Sequence, residues 1–280
     1  MKKTLKTFGM ILVMAFMLAG IVSIPANAAA KKTTVYMLSK VYRIDSGKKT
    51  LAKSYSYRND GLLKGYTGSI AAIVGEYKYD KKNRLVQFRT SLNEWTNYDY
   101  TYNKQGQIAT IHKYYTSKYD PSFYSDAGKA KCTYNKKGLM TKKVYQTKEL
   151  NYTTNINENV KITIQYSYKN GHLVKETITT KRGNNIFNTT KTIKYDDNGN
   201  VRFENVKSIN GSEKMTYINT YNSKGRLTKC VTQMSSGNTS TCTYTYIKMK
   251  VPNSLLESVK KQQWSLLNHD YNNAIPGIEL

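Results

Sequence analysis

Tyr221-Asn222-Ser223-Lys224-Gly225-Arg226-Leu227 sets a tyrosine before a short polar turn, closes the turn with glycine, and places an aliphatic residue two positions later. Six more segments between Tyr57 and Val201 follow this plan. They are Tyr57 to Leu63 with Gly61, Tyr79 to Leu85 with Asn83, Tyr102 to Ile108 with Gly106, and Tyr134 to Met140 with Gly138. Tyr168 to Leu173 with Gly171, and Tyr195 to Val201 with Gly199, complete the set. In five of the seven, Asp or Asn follows the tyrosine, where its side chain can accept a backbone hydrogen bond two residues on and start a type I turn. Glycine three residues later supplies the positive φ that closes such a turn. Asn83 takes that place in the second copy, and the shorter fifth copy uses Asn170-Gly171, a type I′ pair.

Successive anchor tyrosines are 22, 23, 32, 34, 27 and 26 residues apart, with Tyr246 a further 25 on. Such periods mark a repeat architecture whose units bury their faces against neighbours. Before the turns, tyrosines alternate with polar residues, as in Tyr98/Tyr100/Tyr102 and Tyr166/Tyr168, which is the period of a strand. The opposite ends of the hairpins carry looser signals at Ser46-Gly47, Gly183-Asn184, Asn210-Gly211 and Ser236-Gly237. Roughly sixteen strands in one antiparallel meander are expected, twisting by about 20° to 25° per pair. The expected fold is all-β: an antiparallel β-hairpin repeat sheet, twisted or superhelical in the manner of a β-solenoid, or else wrapped on itself, with tyrosine rows on its packed face. From Pro252 the pattern changes to a helix capped by Asn253 or Ser254, with Leu255, Leu256, Val259, Leu266 and Leu267 in its apolar stripe and Gln263 interrupting it. That helix is expected to cover the last hairpin.

Residues 1–28 combine Lys2, Lys3 and Lys6, an apolar run from about Met10 to Ile24, and Ala26-Asn27-Ala28, the succession that a signal peptidase cuts. A retained membrane helix is the alternative, for which the run is short. The organisation expected is a leader at 1–28, a repeat domain at 29–250, and a helix and tail at 251–280. Secretion follows, with no membrane span in the mature form. Losing the leader lysines takes the formal charge from +26 to +23. Seven arginines stand against thirty-seven lysines, so the charge is mostly flexible ammonium rather than the rigid forks that read bases. Attraction to polyanions is expected and sequence-specific nucleic-acid recognition is not. Alternatively, the lysines only keep a long sheet soluble and unpaired.

With units such as Tyr79-Asp80 through Arg84-Leu85, Tyr195-Asp196 through Gly199, and Tyr221-Asn222 through Leu227-Thr228 in view, the chain resembles the YD-repeat (Rhs and teneurin type) proteins of bacterial surfaces. The resemblance covers about residues 42 to 250 and implies a spiralling antiparallel sheet. A weaker likeness is to choline-binding-type cell-wall repeats, whose Gly-Trp pair is absent here, Trp95 and Trp264 being the only tryptophans.

Catalytic signals are sparse. His112, His172 and His269 have no companion nucleophile or ligand at a telling spacing, and Asp196-Asp197 sits where a turn expects Asp. Glu94, Asp120 and Asp126 lie near the variable edge and are the remaining carboxylates for a glycosidase-type pair. No cofactor and no enzymatic activity are expected. The candidate binding site is the aromatic, basic segment that breaks the repeat: Lys113, Tyr114, Tyr115, Lys118, Tyr119, Phe123 and Tyr124, with Trp95 in the preceding connection. Aromatics with lysines suit sugar rings or an anionic polymer through stacking and charge together. A secreted protein binding cell-wall or matrix polysaccharide is therefore expected; a purely structural module and a wall-glycan hydrolase are the alternatives. Cys230 and Cys242 are symmetric about Ser236-Gly237 and can bridge if the register sets them opposite, whereas Cys132 is left odd as a buried space-filler.

Overall fold

The computed structural model describes residues 31–69, 74–91, 94–151 and 156–268. The leader expected at 1–28 lies outside them, as does His269. Sixteen strands follow one another: β1 (Lys32–Asp45), β2 (Lys48–Tyr57), β3 (Leu63–Gly68), β4 (Val74–Tyr79), β5 (Leu85–Ser91), β6 (Glu94–Tyr102), β7 (Ile108–Ser117) and β8 (Tyr124–Tyr134). Then come β9 (Met140–Asn151), β10 (Ile156–Lys169), β11 (His172–Arg182), β12 (Asn185–Tyr195), β13 (Val201–Ser208), β14 (Gly211–Tyr221), β15 (Leu227–Met234) and β16 (Thr239–Pro252). Each pairs antiparallel with the next, and β1 pairs with β16 from Lys32↔Pro252 to Ile44↔Thr241, so the meander closes into a barrel.

Closure corrects the sequence-based expectation. The sheet is no superhelix and no solenoid, and the implied resemblance to YD-repeat proteins, with the weaker one to choline-binding-type repeats, falls with it. The physical cause lies in the tyrosine motif. At every copy the ladder slips by one residue at the anchor tyrosine, as in Lys78↔Gln87 followed by Tyr79↔Leu85, which leaves Val86 over. The same β-bulge recurs at Tyr57, Tyr102, Tyr134, Tyr168, Tyr195 and Tyr221. A bulge bends its strand and adds twist. Seven bulges on one rim curve the sheet in one sense until its first and last strands meet, and closure leaves no open edge.

The turns form as the composition requires. Asn103 Oδ1 accepts from the backbone of Gln105 at 3.0 Å and of Gln107 at 2.9 Å. Asp80, Asn135, Asp196 and Asn222 do the same in their copies. Gly106 closes its turn at φ 74° and Asn83 at φ 58°.

The tyrosines then link copy to copy. The hydroxyl of Tyr79 donates to the Leu63 carbonyl at 2.8 Å, that of Tyr134 to Ile108 at 2.9 Å, and that of Tyr168 to Met140 at 2.8 Å. Tyr57, Tyr102, Tyr195 and Tyr246 reach Leu38, Leu85, Leu173 and Leu227 likewise. Each acceptor but Leu38 is the aliphatic residue of the preceding copy, at the bulge. Tyr221 departs from the ladder: its hydroxyl donates to the Asp196 carboxylate, while Asn219 Nδ2 donates to the Val201 carbonyl at 3.0 Å.

Inside the wall from β2 to β9, aromatic side chains fill the barrel. Tyr77 and Phe88 have ring centroids 4.7 Å apart, Phe88 and Tyr98 5.7 Å, and Tyr100, Ile111, Ala130 and Tyr145 continue the cluster. The tyrosine rows do line the packed face.

Helix α1 (Leu256–Asn268), preceded by a 3-10 turn at Asn253–Leu255, lies over the tight-turn mouth. The N-cap of the 3-10 turn is Pro252, which supplies no side-chain cap, and Asn253 Oδ1 accepts from Thr33 Oγ1 at 2.8 Å. Nor does the helix simply cover the last hairpin. Val259 is buried with Met37, Leu62 and Val251. Gln263 Oε1 accepts from the Leu38 N–H at 2.6 Å and Gln262 Oε1 from the Leu63 N–H at 3.1 Å. On the far side Trp264 Nε1 donates to the Gly199 carbonyl at 2.8 Å, and Asn268 Oδ1 accepts from the Val201 N–H at 2.6 Å. Gln263, the interruption in the apolar stripe, is one of four polar residues that tie the lid to the rim, with Gln262, Trp264 and Asn268.

Candidate functional site

Alternation along each strand sorts side chains into an interior row and an outward row. Tyr98 and Tyr100 pack inside, so Trp95 on the same strand faces out. Arg89 Cζ lies 4.1 Å from the Trp95 ring centroid and Lys118 Nζ 4.9 Å, within cation–π range. Arg89 is itself held by Glu76, 2.7 Å from its guanidinium. Tyr114 also faces out, opposite Asn97, with Tyr124 5.5 Å and His112 5.2 Å from its ring. Burial beside Asp99 raises its hydroxyl pKa. His112 pairs with Asp126 at 3.0 Å, and the Gly128 N–H holds the Asp126 carboxyl below the usual range.

The loop between β7 and β8 is locally built. Ser117 Oγ accepts from the backbones of Tyr119 and Asp120 at 3.0 and 3.2 Å, and Asp120 Oδ1 accepts from the Ser122 backbone at 2.9 Å and hydroxyl at 2.6 Å. Tyr119 at its tip is 87% exposed and Tyr124 56%, with Phe123 between at 38%. Two members of the expected site are elsewhere. Lys113 stands opposite Tyr98 and Tyr115 opposite Thr96, so both face the interior, where the Lys113 ammonium lies 5.4 Å from the Tyr115 ring centroid. The segment alternates as a strand, which splits a continuous run of aromatic and basic residues between two faces.

Charge is sorted between the faces further round the wall. In the registers of β8 to β15, Lys129, Lys131, Lys142, Lys148, Lys161, Lys175, Lys181, Lys194, Lys207, Lys214 and Lys229 stand in outward rows, and all are exposed. Glu158, Glu176, Glu204 and Glu213 stand in inward rows. Among the described residues of β10 to β15, no acidic side chain faces outward. Inside, Glu204 pairs with Lys191 at 2.8 Å and accepts from the Tyr217 hydroxyl at 2.7 Å, which satisfies its buried carboxylate. Neither this sorting nor Arg89 was singled out from the sequence; the period of two in each strand is the signal that carries it, once one face is known to be inside.

Beneath the C-terminal turn of α1 lies a cavity of about 170 Å³. Cys230, Cys242, Met215, Tyr244 and Leu266 form apolar walls, and Glu204, Tyr217 and Asn219 a polar one. The register sets Cys230 directly opposite Cys242, and no disulfide joins them in this structure. Burial pushes the Cys230 thiol up to about 11.

The catalytic candidates are dispersed. His172 packs against Tyr195 with the rings tilted and their centroids 5.0 Å apart, and Asp196 accepts from its own turn and from Asn219. Among the described residues, no three His, Cys, Asp or Glu side chains gather as metal ligands.

No protein-family model matches the chain, and no curated protein does. Among solved structures it is similar to a porin-like protein from Bacteroides uniformis ATCC 8492, at 15% identity and a TM-score of 0.47 over 76% of this chain and 96% of that one. It is also similar to part of the Photorhabdus luminescens Tc holotoxin pore, at 13% identity and a TM-score of 0.33 over 75% of this chain and 12% of that one. Both likenesses are too distant to carry an activity or a location to this chain.

Proposed function

We propose that the protein is a secreted, non-enzymatic barrel that binds anionic polymers of the cell envelope or matrix through the lysine wall of β8 to β15. One observation carries this reading: from β10 to β15 the outward charge is all lysine, while the acids are turned inward. A surface serving solubility alone gains most from mixed signs or added acids, so one-signed exposure favours a polyanionic partner. Lysine, a compact point charge on a flexible stem, suits irregularly spaced carboxylates or phosphates rather than one fixed geometry. The same wall is unlike a lipid-facing one. A membrane-spanning barrel presents an apolar outward band, whereas the rows here read Lys142, Gln165, Thr177, Thr190, Lys207 across five strands. Trp95, under two cations, flanks the wall as an aromatic platform for a sugar ring.

Retention of the mature protein on teichoic acid and heparin at low and high salt tests the proposal. Binding should weaken steeply as salt shortens the screening length from about 10 Å at 0.1 M to about 3 Å at 1 M. Lys161→Glu, Lys181→Glu and Lys207→Glu together should abolish it with the fold intact. Retention unchanged by salt and by the triple variant would refute the proposal.

A further inference from the structure

We infer that the loose-turn rim is a membrane-docking surface that seats the barrel end-on upon an anionic lipid bilayer. The opposite mouth is closed by α1; this rim is where the hairpins β7–β8, β11–β12 and β13–β14 turn. Each tip exposes large apolar side chains: Tyr119 and Tyr124 on the first, Ile186 (59% exposed) and Phe187 (43%) on the second, and Ile209 (78%) on the third. Four strand steps separate the first two tips and two steps the others, about 19 and 10 Å along the wall. They therefore lie on one edge of the barrel, and large apolar side chains gathered at the tips of one edge mark an interaction surface.

Charge selects the occupant. Behind the tips stand Lys118 beside Tyr119, Lys181 and Arg182 before Ile186, and Lys207 before Ile209. The acids nearby are Glu94, opposite Ser117; Asp120, whose carboxylate is engaged by Ser122; Asp126, which pairs with His112; and Glu213, which stands in an inward row. Apolar tips a few ångströms deep with cations at headgroup level are the arrangement by which peripheral proteins hold anionic membranes. The polar wall behind them halts penetration, so the barrel docks without crossing. A soluble polyanion would use the lysines and leave the isoleucines, Phe187 and Tyr119 in water.

The test is co-sedimentation of the mature chain with vesicles of phosphatidylcholine alone or mixed with phosphatidylglycerol. Mixed vesicles should carry the protein down and neutral ones should not. Ile186→Asp, Phe187→Asp and Ile209→Asp, combined at exposed positions that bear no core contact, should lower partitioning at least about tenfold and leave heparin retention unchanged. A Phe187→Trp variant should show a blue-shifted emission, quenched by brominated lipid, on mixed vesicles only. Sedimentation that survives the Asp variants, an unshifted Phe187→Trp emission on bound vesicles, or failure to bind mixed vesicles would each overturn the inference. The lysine-wall proposal stands or falls separately, on heparin and teichoic acid.

Discussion

The Tyr102 hydroxyl donates to the Leu85 carbonyl at 2.6 Å, joining the anchor of one copy to the bulge of the copy before it. This bond, repeated around the tight-turn rim, couples each hairpin to its neighbour beyond the ladder itself. Tyr102→Phe removes the donor and keeps the ring beneath Arg84, whose guanidinium carbon lies 4.4 Å from the ring centroid. The expected loss is about 0.5–1.5 kcal/mol, read by urea denaturation of both proteins. A loss near zero would show that the hydroxyl bonds water as well as it bonds Leu85.

Burial pushes the ladder hydroxyls of Tyr102, Tyr168 and Tyr246 up to about 12. The unfolded chain ionises its tyrosines near 10. A raised folded value means that the neutral phenol favours the fold; this contribution is complete below about pH 10 and is lost as pH climbs towards 12. The barrel should therefore unfold in alkali with a cooperative rise in tyrosinate absorbance. A gradual rise from pH 9 with unchanged circular dichroism would contradict the ladder.

Gln263→Ala strips the Leu38 N–H of its acceptor and the Tyr57 hydroxyl of the Gln263 amide at 3.1 Å. Leaving a buried N–H unpaired costs about 1–3 kcal/mol. Thermal unfolding should show this loss, and Trp264→Phe, which gives up one bond to Gly199, a smaller one. Equal effects would argue that the helix is held by its apolar contacts alone.

Cys230 and Cys242 face each other inside the wall, and burial keeps the Cys230 thiol protonated at neutral pH. Both should resist iodoacetamide in the native protein and react on unfolding without reductant. Labelling that requires reductant would reveal a bridge between them, detectable by intact mass.

How the repeat was legible, and where it was not, follows from range. Asn103, Gly106 and Tyr102 act within a few residues of one another, so the turns and the strands beside them could be read directly. The bulge was hidden because Lys78↔Gln87 and Tyr79↔Leu85 are relations between strands, although their cause repeats in every copy. Lys113 and Tyr115 were grouped with Trp95 because nearness in sequence is not sharing of a face. The helix pattern was plain, but its seat across Leu38 and Gly199 depends on a mouth that exists only after closure.

The sequence by itself determined local conformation: which residues turn, which extend, and that some sixteen strands run as a meander. Only the tertiary structure decided that the sheet closes, which row of each strand is interior, and hence that the lysines of β10 to β15 face out and the acids in. The reason is that turn chemistry is settled by neighbours along the chain, whereas inside and outside are defined by curvature summed over all the bulges.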